Sequence, residues 1–177
     1  EGRVFVLLSA GNLATSQAVV NALRRDLADA EAPVSLNSVH FPFDAAHYIG
    51  EISVRVQNEH PEVMKKSGVN VEASFILGGQ IGLGEHEIYL IYPQGNYIST
   101  SDETPYLQIG ETKYGKPIID RVISRVTPLP DAAKCVLVSF DSTMRSNLSV
   151  GMPIDLICYE LDSLEVQKRR RFDYGDA

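Results

Sequence analysis

The sequence predicts an α+β domain built as a four-layer αββα sandwich, with two stacked antiparallel sheets and helix pairs over both outer faces. Three observations predict it. Apolar residues recur at helical spacing in two pairs of segments. Between those pairs they follow strand spacing in a run punctuated by glycine. Helices in pairs and strands in runs also do not fit the regular strand–helix alternation of a doubly wound parallel sheet.

The elements follow in order. Val4-Phe5-Val6-Leu7-Leu8 is a β-branched and aliphatic run that reads as a fully buried strand over residues 3–9, ending at Ser9-Ala10-Gly11. A buried strand needs neighbours on both sides, so a chain that opens on one implies a missing upstream stretch; the alternative is a strand at a sheet edge. A helix starts at Asn12 and carries Val19, Leu23 and Leu27 at i, i+4 and i+8. Pro33 closes that unit. A second helix runs from about Asp44, read as its N-cap, through Tyr48, Ile49, Ile52 and Val56, and His60-Pro61 ends it.

Strand spacing then takes over. Residues 71–77 lead into Gly78-Gly79, residues 87–92 lead into Pro93-Gln94-Gly95-Asn96, and Tyr97-Ile98-Ser99 follows as the third strand of a meander. Tyr106-Leu107-Gln108-Ile109 reads as a further short strand that stops at Gly110. Two helices return. One carries Ile118, Ile119, Val122, Ile123 and Val126 on one face. The other begins after Pro128-Leu129-Pro130, with Asp131 suited to its N-terminal dipole, and ends near Ser149-Val150-Gly151. A last strand spans residues 153–159. The expectation is one domain over residues 1–165 and a charged tail over 166–177, whose run Lys168-Arg169-Arg170-Arg171 reads as solvated.

Composition narrows the function. Apolar residues make up 44% and charged residues 22%, a globular balance. A net charge of −7 disfavours nucleic acid or an anionic membrane as partner, since phosphate contacts need a basic surface. No apolar run approaches the roughly 18 residues of a membrane helix, and Glu1-Gly2-Arg3 leads into a strand rather than a signal peptide. Cys135 and Cys158 sit in apolar surroundings and read as buried free thiols of a reducing compartment, so a cytoplasmic location is expected. Gly78-Gly79-Gln80-Ile81-Gly82-Leu83-Gly84 lacks the spacing and the following helix of a phosphate loop. His40, His47, His60 and His86 lack metal-ligand spacing. Neither a metal nor a cofactor is expected.

Two polar clusters remain. One is Gly110-Glu111-Thr112-Lys113-Tyr114-Gly115-Lys116-Pro117 at a strand-to-helix junction. The other runs from Asp141 through Gly151 at a helix C-terminus. Together with Ser9-Ala10-Gly11-Asn12-Leu13-Ala14, Ser74-Phe75-Ile76-Leu77-Gly78-Gly79-Gln80 and Tyr92-Pro93-Gln94-Gly95-Asn96, these stretches resemble the Anbu (ancestral beta-subunit) family of bacterial proteasome homologues. The resemblance covers nearly the whole chain.

It implies an N-terminal-nucleophile hydrolase of the αββα type, in which an N-terminal threonine attacks the peptide bond and its own α-amine serves as base. It also implies a homo-oligomeric ring or spiral, a peptide or unfolded-protein substrate, and any ATPase partner as a separate chain. Residue 1 is Glu1, so the nucleophile and the first strands, with the family's lysine and aspartate, would lie upstream. By resemblance, Gly11 matches the oxyanion-hole glycine. Ser9 and Leu13 match positions lining the substrate pocket, and Ser149 matches the serine that supports the threonine amine. Ser146 stands where proteasomes have an aspartate, with Asn147 beside it as a substitute. Glu111 replaces a serine close to the amine, where a carboxylate would raise the amine's pKa. Two other readings stay open: a non-catalytic assembly subunit, and an amidase of the same superfamily acting on a small amide.

Overall fold

The computed structural model describes residues 2–59, 68 and 70–175. Strand β1 (Arg3–Gly11) pairs antiparallel with β2 (Ala73–Ile81) over nine residue pairs, from Arg3 opposite Ile81 to Gly11 opposite Ala73. β2 pairs with β3 (Glu87–Ile91), and β3 with β4 (Tyr97–Ser99), giving a sheet in the order β1-β2-β3-β4. Helices α1 (Leu13–Ala28) and α2 (Pro42–Gln57) pack on each other and on one face of this sheet.

The pleat explains which face. Phe75 and Leu77 of β2 stand opposite Ile91 and Tyr89 of β3, so these four share one side. All are buried there with Val19 and Leu23 of α1 and Ala45, Ile49 and Ile52 of α2. One contact sets the depth of α2. A Cβ on Gly50 would overlap the carbonyl oxygen of Gly95, which itself turns at φ +86° between β3 and β4. Only glycine lets the helix come this close to the hairpin backbone.

The second half of the chain contributes α3 (Lys116–Val122) and α4 (Leu129–Ser146), which pack together. It ends in a two-stranded antiparallel sheet of β5 (Ile154–Cys158) and β6 (Lys168–Phe172). It meets the helix-free face of the first sheet at two places. Gly110 faces Ala10, where a Cβ on the glycine would reach the alanine side chain, and the segment after β5 covers Gln80. Gln80 is fully buried. Its amide donates to Asp162 Oδ1 (2.6 Å) and to the Gly84 carbonyl (2.8 Å), and its oxygen accepts from Asp162 N–H (3.0 Å) and from the Tyr159 hydroxyl.

The α+β class holds, and several expectations need correction. β1 is half-buried rather than fully buried, with Leu8 52% exposed, because among the described residues it pairs with β2 alone, at the sheet edge. Asp44 is not the N-cap of α2. It lies three residues inside the cap position, and its carboxylate accepts the Phe41 N–H at 3.2 Å. The proposed helix end at His60-Pro61 falls outside the described residues. Residues 106–109 form no strand: among the described residues no strand pairs with them, and Gln108 Nε2 reaches the Glu111 carbonyl instead (3.3 Å). α3 stops at Val122, where the turn over residues 124–127, closed by Thr127 Oγ1, takes over. The basic run is exposed, yet it forms β6 rather than a loose tail, with Asp155 on β5 facing Arg169 and Arg171 at 3.9 and 3.3 Å.

Phe75 is the largest fully buried side chain of this core. Phe75→Ala is therefore expected to lower unfolding free energy by about 3–5 kcal/mol, read from urea denaturation followed by circular dichroism.

Candidate functional site

The site starts where β1 ends. Gly11 takes φ +107°, and a Cβ there would overlap the Glu72 carbonyl oxygen. That turn lets Asn12 leave the sheet and cap α1. Its Oδ1 accepts the Thr15 N–H (3.0 Å), its Nδ2 donates to the Asn70 carbonyl (2.9 Å), and its own N–H donates to Glu72 O (2.8 Å). Thr15 Oγ1 adds a bond to the Val71 carbonyl (2.8 Å). The start of α1 is thus pinned to the segment, residues 70–72, that leads into β2.

Gly110, at φ +79°, faces Ala10 closely enough that a Cβ built on it would touch the Ala10 side chain. A hollow of about 210 Å³ opens between them, lined by Ala10, Gly11, Asn70, Glu72, Ser74, Pro93 and Gly110. Behind Gly110, a chain of hydrogen bonds ties three sequence-predicted residues together. Glu111 Oε1 accepts the Lys113 N–H (2.8 Å), and Oε2 accepts Asn147 Nδ2 (2.7 Å). Asn147 Oδ1 accepts both Ser149 N–H (2.9 Å) and Ser149 Oγ–H (2.7 Å). Asn147 has just left α4, and its N–H still bonds the Thr143 carbonyl at 2.8 Å.

The Lys113 amide and then Asn147 hold the Glu111 carboxyl below the usual carboxylate range, because both bonds favour the charged form. Close packing anchors the segment after it, since a Cβ on Gly115 would overlap Ser139 Oγ of α4.

Of the predicted residues, the fold therefore brings Gly11 to the hollow and joins Glu111, Asn147 and Ser149 beside it. Ser9 lies on the helix side of β1, the opposite pleat from Ala10, and is exposed. Leu13 opens α1 and is 69% exposed. Ser146 ends α4, exposed and outside the bonded chain. Asn12 and Glu72 were not singled out by sequence; Asn12 carried a signal, as a helix-capping residue directly after a glycine. Among the described residues, no group of three or more His, Cys, Asp or Glu could hold a metal ion. Cys135 and Cys158 are free, and burial pushes the Cys135 thiol up. No helix among the described residues is long and apolar enough to cross a membrane.

No family model matches the chain, and no curated protein matches it. Solved structures do. The Anbu protein from Yersinia bercovieri is 45% identical, with a TM-score of 0.89 over 98% of this chain and 71% of its own. The family is decided by that match. The chain belongs to the Anbu (ancestral beta-subunit) family. Anbu from Pseudomonas aeruginosa, solved as a helical assembly, is 45% identical with a TM-score of 0.92 over 99% of this chain and 72% of its own. Anbu from Hyphomicrobium sp. strain MC1 is 44% identical, with a TM-score of 0.88 over 99% of this chain and 72% of its own. Membership gives the chain a proteasome-related fold.

Because the folded pKa of Glu111 is depressed, its stabilisation is present above the unfolded carboxyl pKa and is lost as pH falls through the folded value. Asn147→Ala removes one of the two bonds. The Glu111 carboxyl pKa is expected to rise toward the ordinary range, with a smaller rise in Asn147→Ser, as read by carbon-detected NMR titration.

Proposed function

We propose that the chain is a subunit of a proteasome-type, self-compartmentalised homo-oligomer that hydrolyses peptide bonds with an N-terminal threonine lying outside residues 1–177. One observation supports this reading above the others. The fold brings the Ala10–Gly11 turn against Gly110, next to the bonded chain Glu111–Asn147–Ser149. In an N-terminal-nucleophile hydrolase these positions surround the threonine: Gly11 N–H faces the oxyanion, and Glu111 with Ser149 faces the α-amine. Ser9 and Leu13 would then border the substrate side chain, and Ser146 would take no part in the proton network. The four-layer sandwich would be completed by strands outside this segment, stacked on the helix-free face of β1–β4.

The copies would assemble as a ring or spiral in the cytoplasm; the helical assembly of the Pseudomonas relative supports the self-association. Any ATPase would be a separate chain. A second reading, a non-catalytic assembly subunit, draws on the same Glu111. Its two oxygens are already engaged by Lys113 and Asn147, and it replaces a serine of proteasomes.

An α-amine has a pKa of about 7.7–8.0. An ionised Glu111 nearby would raise it, leaving less neutral amine to act as base at pH 7. Hydrolysis of fluorogenic peptides by the full-length protein is expected to climb above neutral pH, and Glu111→Gln to shift that profile to lower pH. A threonine-directed covalent inhibitor should abolish the activity, and residues 1–177 alone should show none. Full-length protein with no inhibitor-sensitive hydrolysis at any pH would leave the assembly reading alone.

A further inference from the structure

The loop that carries Glu111 is held differently at its two ends. Its C-terminal end is seated on α4. A Cβ on Gly115 would overlap Ser139 Oγ, and the Ser142 hydroxyl donates to the Tyr114 carbonyl at 3.4 Å. Its N-terminal end has no such seat. Among the described residues no strand pairs with residues 106–109, and no backbone–backbone hydrogen bond reaches residues 106–110. A segment held this way belongs to the part of a fold that opens most easily.

Side chains close the gap. The Tyr106 hydroxyl donates to Asp120 Oδ1. Lys116 Nζ donates to both Asp120 oxygens (2.8 and 2.9 Å) and to the Tyr106 oxygen (3.0 Å), and it stands 5.4 Å from the centre of the Tyr106 ring. Lys116 and Asp120 are one turn apart on α3, so the helix presents a ready-made pair to the tyrosine. Exposed ion pairs add little to global stability. The consequence here is local, because this clasp closes the chain between Tyr106 and Lys116, and Glu111 lies midway along it. Inside the closed loop, Gln108 Nε2 bonds the Glu111 carbonyl at 3.3 Å across the turn at Gly110.

We propose that Tyr106, Asp120 and Lys116 are positioning residues: their clasp fixes the loop that turns Gly110 toward Ala10 and aims the Glu111 carboxylate at Asn147. None of the three touches Glu111 itself, so they act through the loop. The charged side chain that bears on Glu111 is Lys113, on the same loop. The catalytic consequence rests on the peptidase reading above; the positioning of Glu111 does not.

Asp120→Ala opens the clasp, Tyr106→Phe removes only its hydroxyl, and Asp120→Asn keeps an acceptor for that hydroxyl. In the full-length protein, Asp120→Ala and Tyr106→Phe should raise the Glu111 carboxyl pKa toward the ordinary range in carbon-detected NMR titration. Amide exchange over residues 110–113 should quicken by about tenfold, with the urea midpoint little changed. The pH profile of peptide hydrolysis should move to lower pH, as in Glu111→Gln but by less, and Asp120→Asn should restore much of it. Added to Glu111→Gln, Asp120→Ala should give no further shift, since the clasp works through that carboxylate. Unchanged Glu111 titration and loop exchange in both Asp120→Ala and Tyr106→Phe would overturn the proposal. So would a profile shift that adds in full to that of Glu111→Gln. A full-length protein without inhibitor-sensitive hydrolysis removes the peptidase reading, and the titration and exchange then decide the clasp by themselves: moved, they support it; unmoved, they overturn it.

Discussion

The turn at Gly11 governs how this fold hands its edge strand over to its first helix. At φ +107°, with the Glu72 carbonyl where a side chain would stand, the position admits no other residue without moving β1 or the strand entry opposite it. Everything downstream inherits that placement. Asn12 can cap α1 only because the chain leaves the sheet there, and a cap of this kind contributes about 1 kcal/mol. α1 in turn presents Val19 and Leu23 to the core that Phe75 and Ile49 fill. The same turn leaves the Gly11 backbone bare at the rim of the hollow, where a side chain would otherwise block approach.

A second constraint works at the opposite wall. Among the described residues, Asn147 is the one side chain that meets both Glu111 and Ser149, and it does so with different ends. Its amide nitrogen can only donate and its oxygen can only accept. The carboxylate is therefore held from one side and the serine from the other. An aspartate here would set two carboxylates against each other. Asn147 thus bonds both Glu111 and Ser149 without adding a second negative charge beside the carboxylate.

Strand and helix positions with regular spacing were legible in the sequence. β2, β3 and β4 follow alternation bounded by glycine and proline, and α1 follows Asn12. Departures arose where a distant partner decides the outcome. Tyr106–Ile109 has strand-forming residues but, among the described residues, no strand to pair with. Lys168–Arg171 hides its alternation under uniform charge, and becomes a strand because β5 offers Asp155 to half of its cations. The burial of Gln80 was invisible, since Tyr159 and Asp162 lie 79 and 82 residues away. In the site, Glu111, Asn147 and Ser149 were found by family resemblance, but the bond order among them depends on the geometry of a helix end. Ser146 shows the reverse: it adjoins Asn147 in sequence, yet its place at the end of the helix leaves it exposed and outside the bonded chain.

The central claim is that Gly11 and the Glu111–Asn147–Ser149 chain flank one reacting centre. The most direct measurement is a crystal structure of the full-length protein treated with a threonine-directed peptide inhibitor. The account predicts the inhibitor bound to an N-terminal threonine, with its former carbonyl oxygen within hydrogen-bond distance of Gly11 N–H and the threonine amine beside Glu111 and Ser149. An inhibitor seated elsewhere, or an amine remote from Glu111, would contradict it.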